Sequence, residues 1–474
     1  AKGWETNVKS NSLVGLWYGF FYKGKDIFVS LRFLVKSLRK KYLTPKSLRL
    51  VFGENKIHRK RVVFRSWVTM DTFHHVTSLY SDRNFGCLPD FFRSKGFEVW
   101  TMPMFFNIGE SHNELFKLIG RNGNKFLIPE KHLSLSDYFR VLLNSYKISR
   151  KRFHQCQLIG VDIAPLINEV LERQGIDSSL CELNLCYYFL KRLKEKNFKV
   201  DTFLYPFENN APEKLFILGC KEYFPKANLF GFQHSACFTN NMAFHLSHME
   251  AEFHPLPDKI VCSGPIYLKL LSESGFPEKK LVFGQNLRFD HTNQSYNLHD
   301  YSEISQSKKI LLSLSYSHDQ AFELFLKMKE VLKGTMPYEV FIRSHPLLSN
   351  NKITKFLNQI EFRNYQFAES GTIQDRLMGM YAFITSGASI TTLEAAVMGI
   401  PVIRLVFDNS VTYDALACSD YPFAPANSIK LIREQLELIG ALLENDSKTF
   451  TKLGKKISID YFTPPTEENL KVYL

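Results

Sequence analysis

Three short segments in the C-terminal half of this 474-residue chain combine residue types that hold an anion: Ser313-Leu-Ser315, Arg343-Ser-His-Pro346 and Thr385-Ser-Gly-Ala-Ser389. The last is followed by Thr391 and Glu394. Serine and glycine let an anionic group approach backbone N–H donors closely, and a guanidinium and a protonatable imidazole add charge-assisted hydrogen bonds. Each segment sits where a predicted strand ends, and there the following helix offers unpaired N–H groups and the positive end of its dipole. The spacing predicts a phosphate cradle without a P-loop lysine, formed by Ser313, Ser315, Arg343, His345, Pro346, Ser386, Gly387, Ser389, Thr391 and Glu394. Taken alone, Ser386 to Ser389 reads equally as a helix N-cap, and His345-Pro346 as a turn. Their recurrence at strand ends of one domain favours a nucleotide site. No group of ligands has metal spacing and no Asp-x-Asp string occurs, so no metal or other cofactor is expected.

The elements that must position these residues alternate. In the first half, strands are predicted at 61–64, 97–103, 157–161, 200–205, 215–218, 227–232, 259–263 and 280–283. The loop 65–71 follows the first, and helices are predicted from near Asp82 and over 165–174 and 180–196. A polar stretch over 286–307 reads as an interdomain linker. The second half continues with strands at 309–315, 338–342, 381–385 and 400–405 and helices at 320–332, 352–360 and 391–398. Alternation of this kind implies parallel sheets covered by helices on both faces. The expectation is an α/β fold of two doubly wound, Rossmann-like domains facing each other across a cleft. The expected division is 1–300, 301–455 and a C-terminal segment 456–474 that packs back on the first domain.

Composition narrows the class. With 45% hydrophobic and 23% charged residues the chain is an ordinary globular mixture, longer than one core usually organises. Its apolar runs stop far short of the ~18 residues a bilayer span requires. It begins Ala-Lys-Gly-Trp-Glu without a signal segment, which reads as a cytoplasmic protein or a fragment of a longer one. Eight cysteines lie scattered, with no C-x-x-C pair, and read as reduced, mostly buried thiols. A net charge of +13 fits nucleic acid, an anionic membrane surface or an anionic substrate. No Lys/Arg stripe interleaved with aromatics and no helix-turn-helix signature supports nucleic acid. Residues 22–43 place Ile27, Leu31, Leu34, Val35 and Leu38 on one helical face opposite Lys and Arg. That face is expected to pack on its own domain, with peripheral contact to an anionic inner membrane as the other option.

The run Ser386-Gly-Ala-Ser-Ile-Thr-Thr-Leu-Glu-Ala-Ala-Val-Met-Gly-Ile-Pro-Val-Ile403 resembles the donor-site signature of GT-B glycosyltransferases. The resemblance implies a helix N-terminus facing nucleotide phosphates and Glu394 on the ribose. Such strings are also similar to non-hydrolysing epimerases of the same fold. His345-Pro346 with Ser386 and Ser389 resembles the elements that hold the CMP phosphate in bacterial sialyltransferases and transferases of 3-deoxy-D-manno-oct-2-ulosonic acid (Kdo). Tyr205-Pro-Phe-Glu-Asn-Asn-Ala-Pro-Glu-Lys214 and Gly231-Phe-Gln-His-Ser235 are similar to bacterial surface-carbohydrate biosynthesis proteins, so the likeness spans most of residues 61–405. A weaker similarity runs to teichoic-acid glycerophosphate polymerases, which use CDP-glycerol. These resemblances imply a metal-independent inverting transferase moving Kdo or a related ulosonic acid from a CMP-linked donor to a glycan or glycolipid. The alternatives are a CDP-polyol phosphotransferase, a UDP- or GDP-sugar transferase and an epimerase.

Inverting transfer needs a base for the acceptor hydroxyl's proton, placed on the N-terminal face opposite the donor. Glu208, His234, Asp82 and Asp71 all fall in loops or helix starts there. Glu208 is preferred because it directly follows a strand, and its neighbours Tyr205 and Phe207 are expected to raise its pKa. A surface ion pair with Lys214 is the plainer reading. His234 fits a base, a donor ligand or a satisfied loop histidine, while Asp82 and Asp162 also suit helix caps.

Overall fold

The computed structural model describes residues 12–43, 60–73, 79–105, 112–122, 125–158, 160–174, 178–235, 237, 241–288, 308–332, 338–345, 348–368, 373–385, 390–405, 429–432 and 456–474, with side chains of the first helix from residue 25. Two parallel sheets organise it. The first takes strands β1 (Arg61–Val68), β2 (Glu98–Phe105), β3 (Lys125–Phe126), β4 (Thr202–Phe207), β5 (Asn228–Gln233), β6 (Lys259–Cys262) and β7 (Leu281–Phe283) in the order β3-β2-β1-β4-β5-β6-β7. The second takes β8 (Lys309–Ser313), β9 (Glu339–Arg343), β10 (Tyr365–Phe367), β11 (Ala382–Thr385), β12 (Val402–Leu405) and β13 (Ile429–Ile432) in the order β10-β9-β8-β11-β12-β13. Both are doubly wound, as the alternation implied, and together they give the two Rossmann-like sheets that the GT-B resemblance implied. Strands such as Val62-Val-Phe64 and Phe203-Leu-Tyr205 are apolar on both faces because helices cover both, and these residues are fully buried.

The helices that flank the sheets and shape the surface include α1 (Ser12–Leu43), α2 (Leu88–Ser94), α3 (Leu135–Ser149), α4 (Ala164–Gln174), α5 (Ser178–Glu195), α6 (Ala211–Tyr223), α7 (His248–Phe253), α8 (Pro265–Glu273), α9 (His318–Leu332), α10 (Asn350–Gln359) and α11 (Ile390–Val397). One continuous core joins Phe189, Phe203 and Phe216 of the first half to Leu311, Phe383 and Leu393 of the second. Residues 456–474 close over the first sheet. Tyr473 packs on Phe230 with ring centroids 5.5 Å apart, Tyr461 packs on Tyr267 at 5.7 Å, and Asn286 N donates to Thr463 O at 2.7 Å. The approach is close enough that a Cβ on Gly264 would stand 2.5 Å from Tyr461 O. Glycine is required there.

Several local expectations give way to the structure. The run 215–218, read as a strand, lies inside α6. Pro212 in the first turn and Glu213 accepting the N–H groups of Glu208 and Asn209 start a helix there, and Phe216, Ile217 and Cys220 supply its buried face. Residues 157–161 form no sheet strand but part of a small antiparallel pair, Gln157–Leu158 with Val161–Asp162, turning at Gly160 with φ +75°. Strand β1 continues through residues assigned to a loop, because β2 pairs with it as far as Val68. The helix placed near Asp82 begins at Leu88, after a turn over 83–87. The stretch 286–307 begins with Asn286 and Leu287 buried rather than as a linker; 289–307 lie outside the described residues, as does Cys418. In α1, Leu34 packs inward beside Phe33, while Ile27, Leu31, Val35 and Leu38 point to solvent. The apolar face expected against the domain is turned away from it.

Candidate functional site

In a doubly wound sheet the strand order reverses at one point, and the loops leaving the two strands there open a crevice. In the second sheet that point lies between β8 and β11, and in the first between β1 and β4. Register places Ser313 beside both Arg343 and Thr385, with Thr385 beside Arg404. The strand ends chosen from sequence are thus brought into one row. Ser313 is buried. Ser315 donates its hydroxyl to Gln320 and accepts Ser317 N at 3.4 Å, capping the start of α9.

Beyond Arg343 the chain turns into α10, and Ser344, His345, Leu348, Ser349, Asn350 and Asn351 line an open cavity of about 420 Å³. The α10 N-terminus faces it with no side-chain cap at Ser349, and Ser349 N donates to His318 Nε2 at 3.1 Å. Burial, followed by the charge of Arg343, holds the His345 imidazole below its usual pKa. The histidine is therefore the neutral form at neutral pH rather than a standing cation. Burial also lowers Arg343, with Glu394 opposing. Thr391 and Glu394 are buried in α11. Two hydroxyls at these strand ends, Ser344 Oγ and Thr392 Oγ1, are buried with no hydrogen-bond partner among the described residues. Pro346, Ser386, Gly387 and Ser389 lie outside the described residues.

At the first sheet's switch point the candidate bases separate. His234 Nε2 donates to Glu208 Oε1 at 3.2 Å, with side chains 4% and 35% exposed; the carboxylate is the member an acceptor can reach. Asn210 Nδ2 donates to its other oxygen at 2.8 Å. Burial pushes the Glu208 carboxyl up, but hydrogen bonding from His234 and the charges of His234 and Arg288 outweigh it and hold it below the usual range. The raised value expected from aromatic neighbours does not occur. Nor does Lys214 pair with Glu208; it donates to Asn209 and to Pro255 O. His234 itself is lowered, chiefly by burial, and its Nδ1 is buried without a partner among the described residues.

Asp82 is buried and committed to four donors, Ser66 Oγ, Tyr80 OH, Asn84 N and Phe85 N, at 2.9–3.1 Å. Its carboxylate braces the turn rather than facing solvent. Asp71 lies in a 3₁₀ turn, Met70–Thr72, and its side chain is outside the described residues. Asp162 caps locally, accepting Cys156 N and Ala164 N at 3.0 Å. Behind Glu208, the buried Glu213 accepts Glu208 N at 2.9 Å and Asn209 N at 3.0 Å, fixing the loop that presents Glu208.

The residue sequence reasoning missed is Arg288. It feels the charges of Glu394 and Glu208, which favour its cation, and of Arg83, which opposes it, while burial lowers its pKa most. One guanidinium thus lies within electrostatic reach of both the strand-end carboxylate of the first sheet and the helix carboxylate of the second. No local signal marks it, since it follows Gln285-Asn-Leu in a stretch that reads as linker. Among the described residues no group of His, Cys, Asp and Glu could hold a metal ion.

No family profile matches the chain, and no curated protein matches it in sequence. Solved structures similar to it include UDP-GlcNAc 2-epimerase from Neisseria meningitidis bound to UDP-GlcNAc, at 11% identity and TM-score 0.48, covering 87% of this chain and 98% of that one. A glycosyltransferase from Rickettsia africae is similar at 12% identity and TM-score 0.47, covering 88% and 98%. Acinetobacter baumannii MurG is similar at 11% identity and TM-score 0.45, covering 88% and 99%.

Proposed function

We propose that the chain is an inverting glycosyltransferase that takes a sugar from a nucleotide donor held by the second sheet and passes it to a hydroxyl presented at the first. The observation that carries this reading is the pairing across the halves: an ionised, reachable Glu208 backed by His234 faces, through Arg288, the row of Arg343, His345 and Glu394. In the transfer, the acceptor oxygen attacks the anomeric carbon and the bond to the donor phosphate breaks. Glu208 takes the hydroxyl proton, and the nucleotide leaves with its charge on the phosphate. Acceptor binding strips water from Glu208, and burial already pushes its pKa upward, so the carboxylate becomes a stronger base as the site fills.

The donor favoured here is CMP-linked, Kdo or a related ulosonic acid. The groups at and beside the cavity proposed to meet the phosphate are Arg343, His345 and the α10 N-terminus. That set suits one phosphate better than two. Unspent hydroxyls at Ser344 and Thr392 supply donors without a metal. On the acceptor side, Asn209 Nδ2 donates to Ala243 O at 2.6 Å, which brings the exposed Met242 beside the base loop, and Met249 and Phe253 of α7 are exposed a few residues on. Such an apolar rim supports a glycolipid acceptor over a free sugar. Incubation with CMP-, CDP-, UDP- and GDP-linked donors, read as nucleotide release with and without acceptor glycolipid, tests the reading. Acceptor-dependent release of CMP alone is expected. Turnover of UDP-sugars only would reject the CMP donor, and conversion of a UDP-sugar without acceptor would reject transfer.

A further inference from the structure

Helices α1, α3 and α4 each carry an outward apolar stripe. In α1 it is Ile27, Phe28, Leu31, Val35 and Leu38, in α3 Leu135, Phe139, Leu143 and Tyr146, and in α4 Leu166 and Val170, all exposed. The spacing of i, i+4, i+8 and i+11 in α1 and α3 is that of a helix face built for an apolar neighbour. The inner faces are already used: Phe33 and Tyr138 meet at 6.4 Å between ring centroids, and Phe33, Tyr138 and Val141 join the main core. Helix α3 packs beside both α1 and α4, so the stripes belong to neighbouring elements. Isolated exposed apolar residues need no explanation, but adjacent stripes on packed helices form a patch that does.

The patch is ringed by cations. Lys25, Arg32, Lys36, Arg39 and Lys40 lie on α1, Arg140 and Lys147 on α3, and Arg150, Lys151 and Arg152 just beyond it. Arg150 lies over the Tyr146 ring at 5.1 Å and Lys151 over Phe153 at 5.4 Å, apolar body and charged head together as at a water–lipid boundary. The described acidic groups on and beside these helices are Asp26, Glu114, Glu169, the capping Asp162, Glu130, whose charge acts on Lys41, Glu182, which pairs with Lys36, and Asp137 and Glu195, both paired with Arg192; they are outnumbered by the cations. No helix among the described residues is long and apolar enough to cross a membrane.

We propose that the α1–α3–α4 face docks on the surface of an anionic lipid bilayer, its stripes entering the headgroup–acyl boundary and its lysines and arginines meeting lipid phosphates. A second copy of the chain would present the same cations to each other, so charge favours the bilayer. The test is flotation of the full chain with phosphatidylcholine vesicles, with and without 30% phosphatidylglycerol. The expected result is recovery with the anionic vesicles only, falling at least tenfold in 0.5 M salt. Phe28→Ser/Leu31→Ser and Phe139→Ser/Leu143→Ser should each lower recovery at least tenfold with unchanged melting temperatures, since these side chains are exposed. Arg32→Glu/Arg39→Glu, which leaves the stripes intact, should do the same. Absence of binding to anionic vesicles, or stripe variants that bind like wild type, would overturn the proposal. So would a lipid-free dimer in sedimentation that the stripe variants dissolve, which would make this face a self-association surface.

Discussion

Replacing Arg288 by leucine keeps bulk at the junction of the halves and removes its cation. Glu208 then retains His234 and Glu394 retains Arg343, so neither carboxylate is left bare. The cost in stability should fall at the low end of the ~3–5 kcal/mol typical when one partner of a buried ion pair is deleted. The effect on chemistry is more diagnostic. Arg288 helps hold the Glu208 carboxyl below its ordinary range, so the leucine variant must raise it. Because Glu208 is 35% exposed, solvent screens part of the guanidinium's effect. With ionised Glu208 as the proposed base, the acid limb of kcat/KM should move up in pH. The stability Glu208 contributes above its unfolded pKa, lost as pH falls through its folded one, should shrink in parallel. Rate profiles of nucleotide release between pH 4 and 8 measure the first and thermal melts over the same range the second. Arg288→Lys should restore most of both. An acid limb that stays in place while stability drops would refute the electrostatic role, as would lysine and leucine variants that behave alike.

Other outcomes rest on the same geometry. His345 starts with a lowered pKa, and a phosphate beside it must raise that value; nucleotide binding should therefore take up a proton and tighten as pH falls toward and below about 6.5, the ordinary value. Calorimetry in buffers of different ionisation enthalpy measures the proton count, and the effect should vanish in His345→Ala. Glu213→Gln replaces one of two backbone-accepting oxygens by an amide and should lower kcat with little change in donor affinity, at about 1–3 kcal/mol in stability for the stranded N–H. Circular dichroism melts beside kinetics separate the two. Tyr473 is fully buried with its hydroxyl unpartnered among the described residues: Tyr473→Phe should be neutral or stabilising, whereas Tyr473→Ala should cost about 3–5 kcal/mol, read as denaturant midpoints.

The alternation of strands and helices was legible because both sheets are buried on both faces, so their strands stand out as short apolar runs. The failures occur where an apolar run belongs to a helix whose cap lies outside it. Leu215-Phe-Ile-Leu218 looks like a strand until Pro212 and Glu213 are seen to start a helix and Leu218 to turn outward. The outward stripe of α1 was visible as a periodicity, but periodicity names a face without saying which way it turns. Phe33 and Ser37, a less apolar pair by sequence, are the buried ones.

The row of strand ends proposed to hold the donor was legible for a reason that the arrangement around Glu208 was not. Ser313, Arg343 and Thr385 each end a strand, and parallel register aligns strand ends without any help from side-chain packing. The proposed base depends on partners that register does not fix. Glu208 and His234 meet because β4 and β5 are neighbours whose final residues, Phe207 and Gln233, are paired, so the next residues of each strand emerge side by side. That could have been found by writing the strands in parallel and reading across their ends. Arg288 follows the terminal strand of the first sheet, next to the buried Leu287 and two residues after Asn286, whose N–H donates to Thr463 O of the returning C-terminal segment. The hydrogen bond from His234, with the charges of His234 and Arg288, reverses the expected direction of the Glu208 pKa. A carboxylate's neighbours along the chain set its desolvation, but its charged neighbours are assigned by topology, and at this site topology decides the sign.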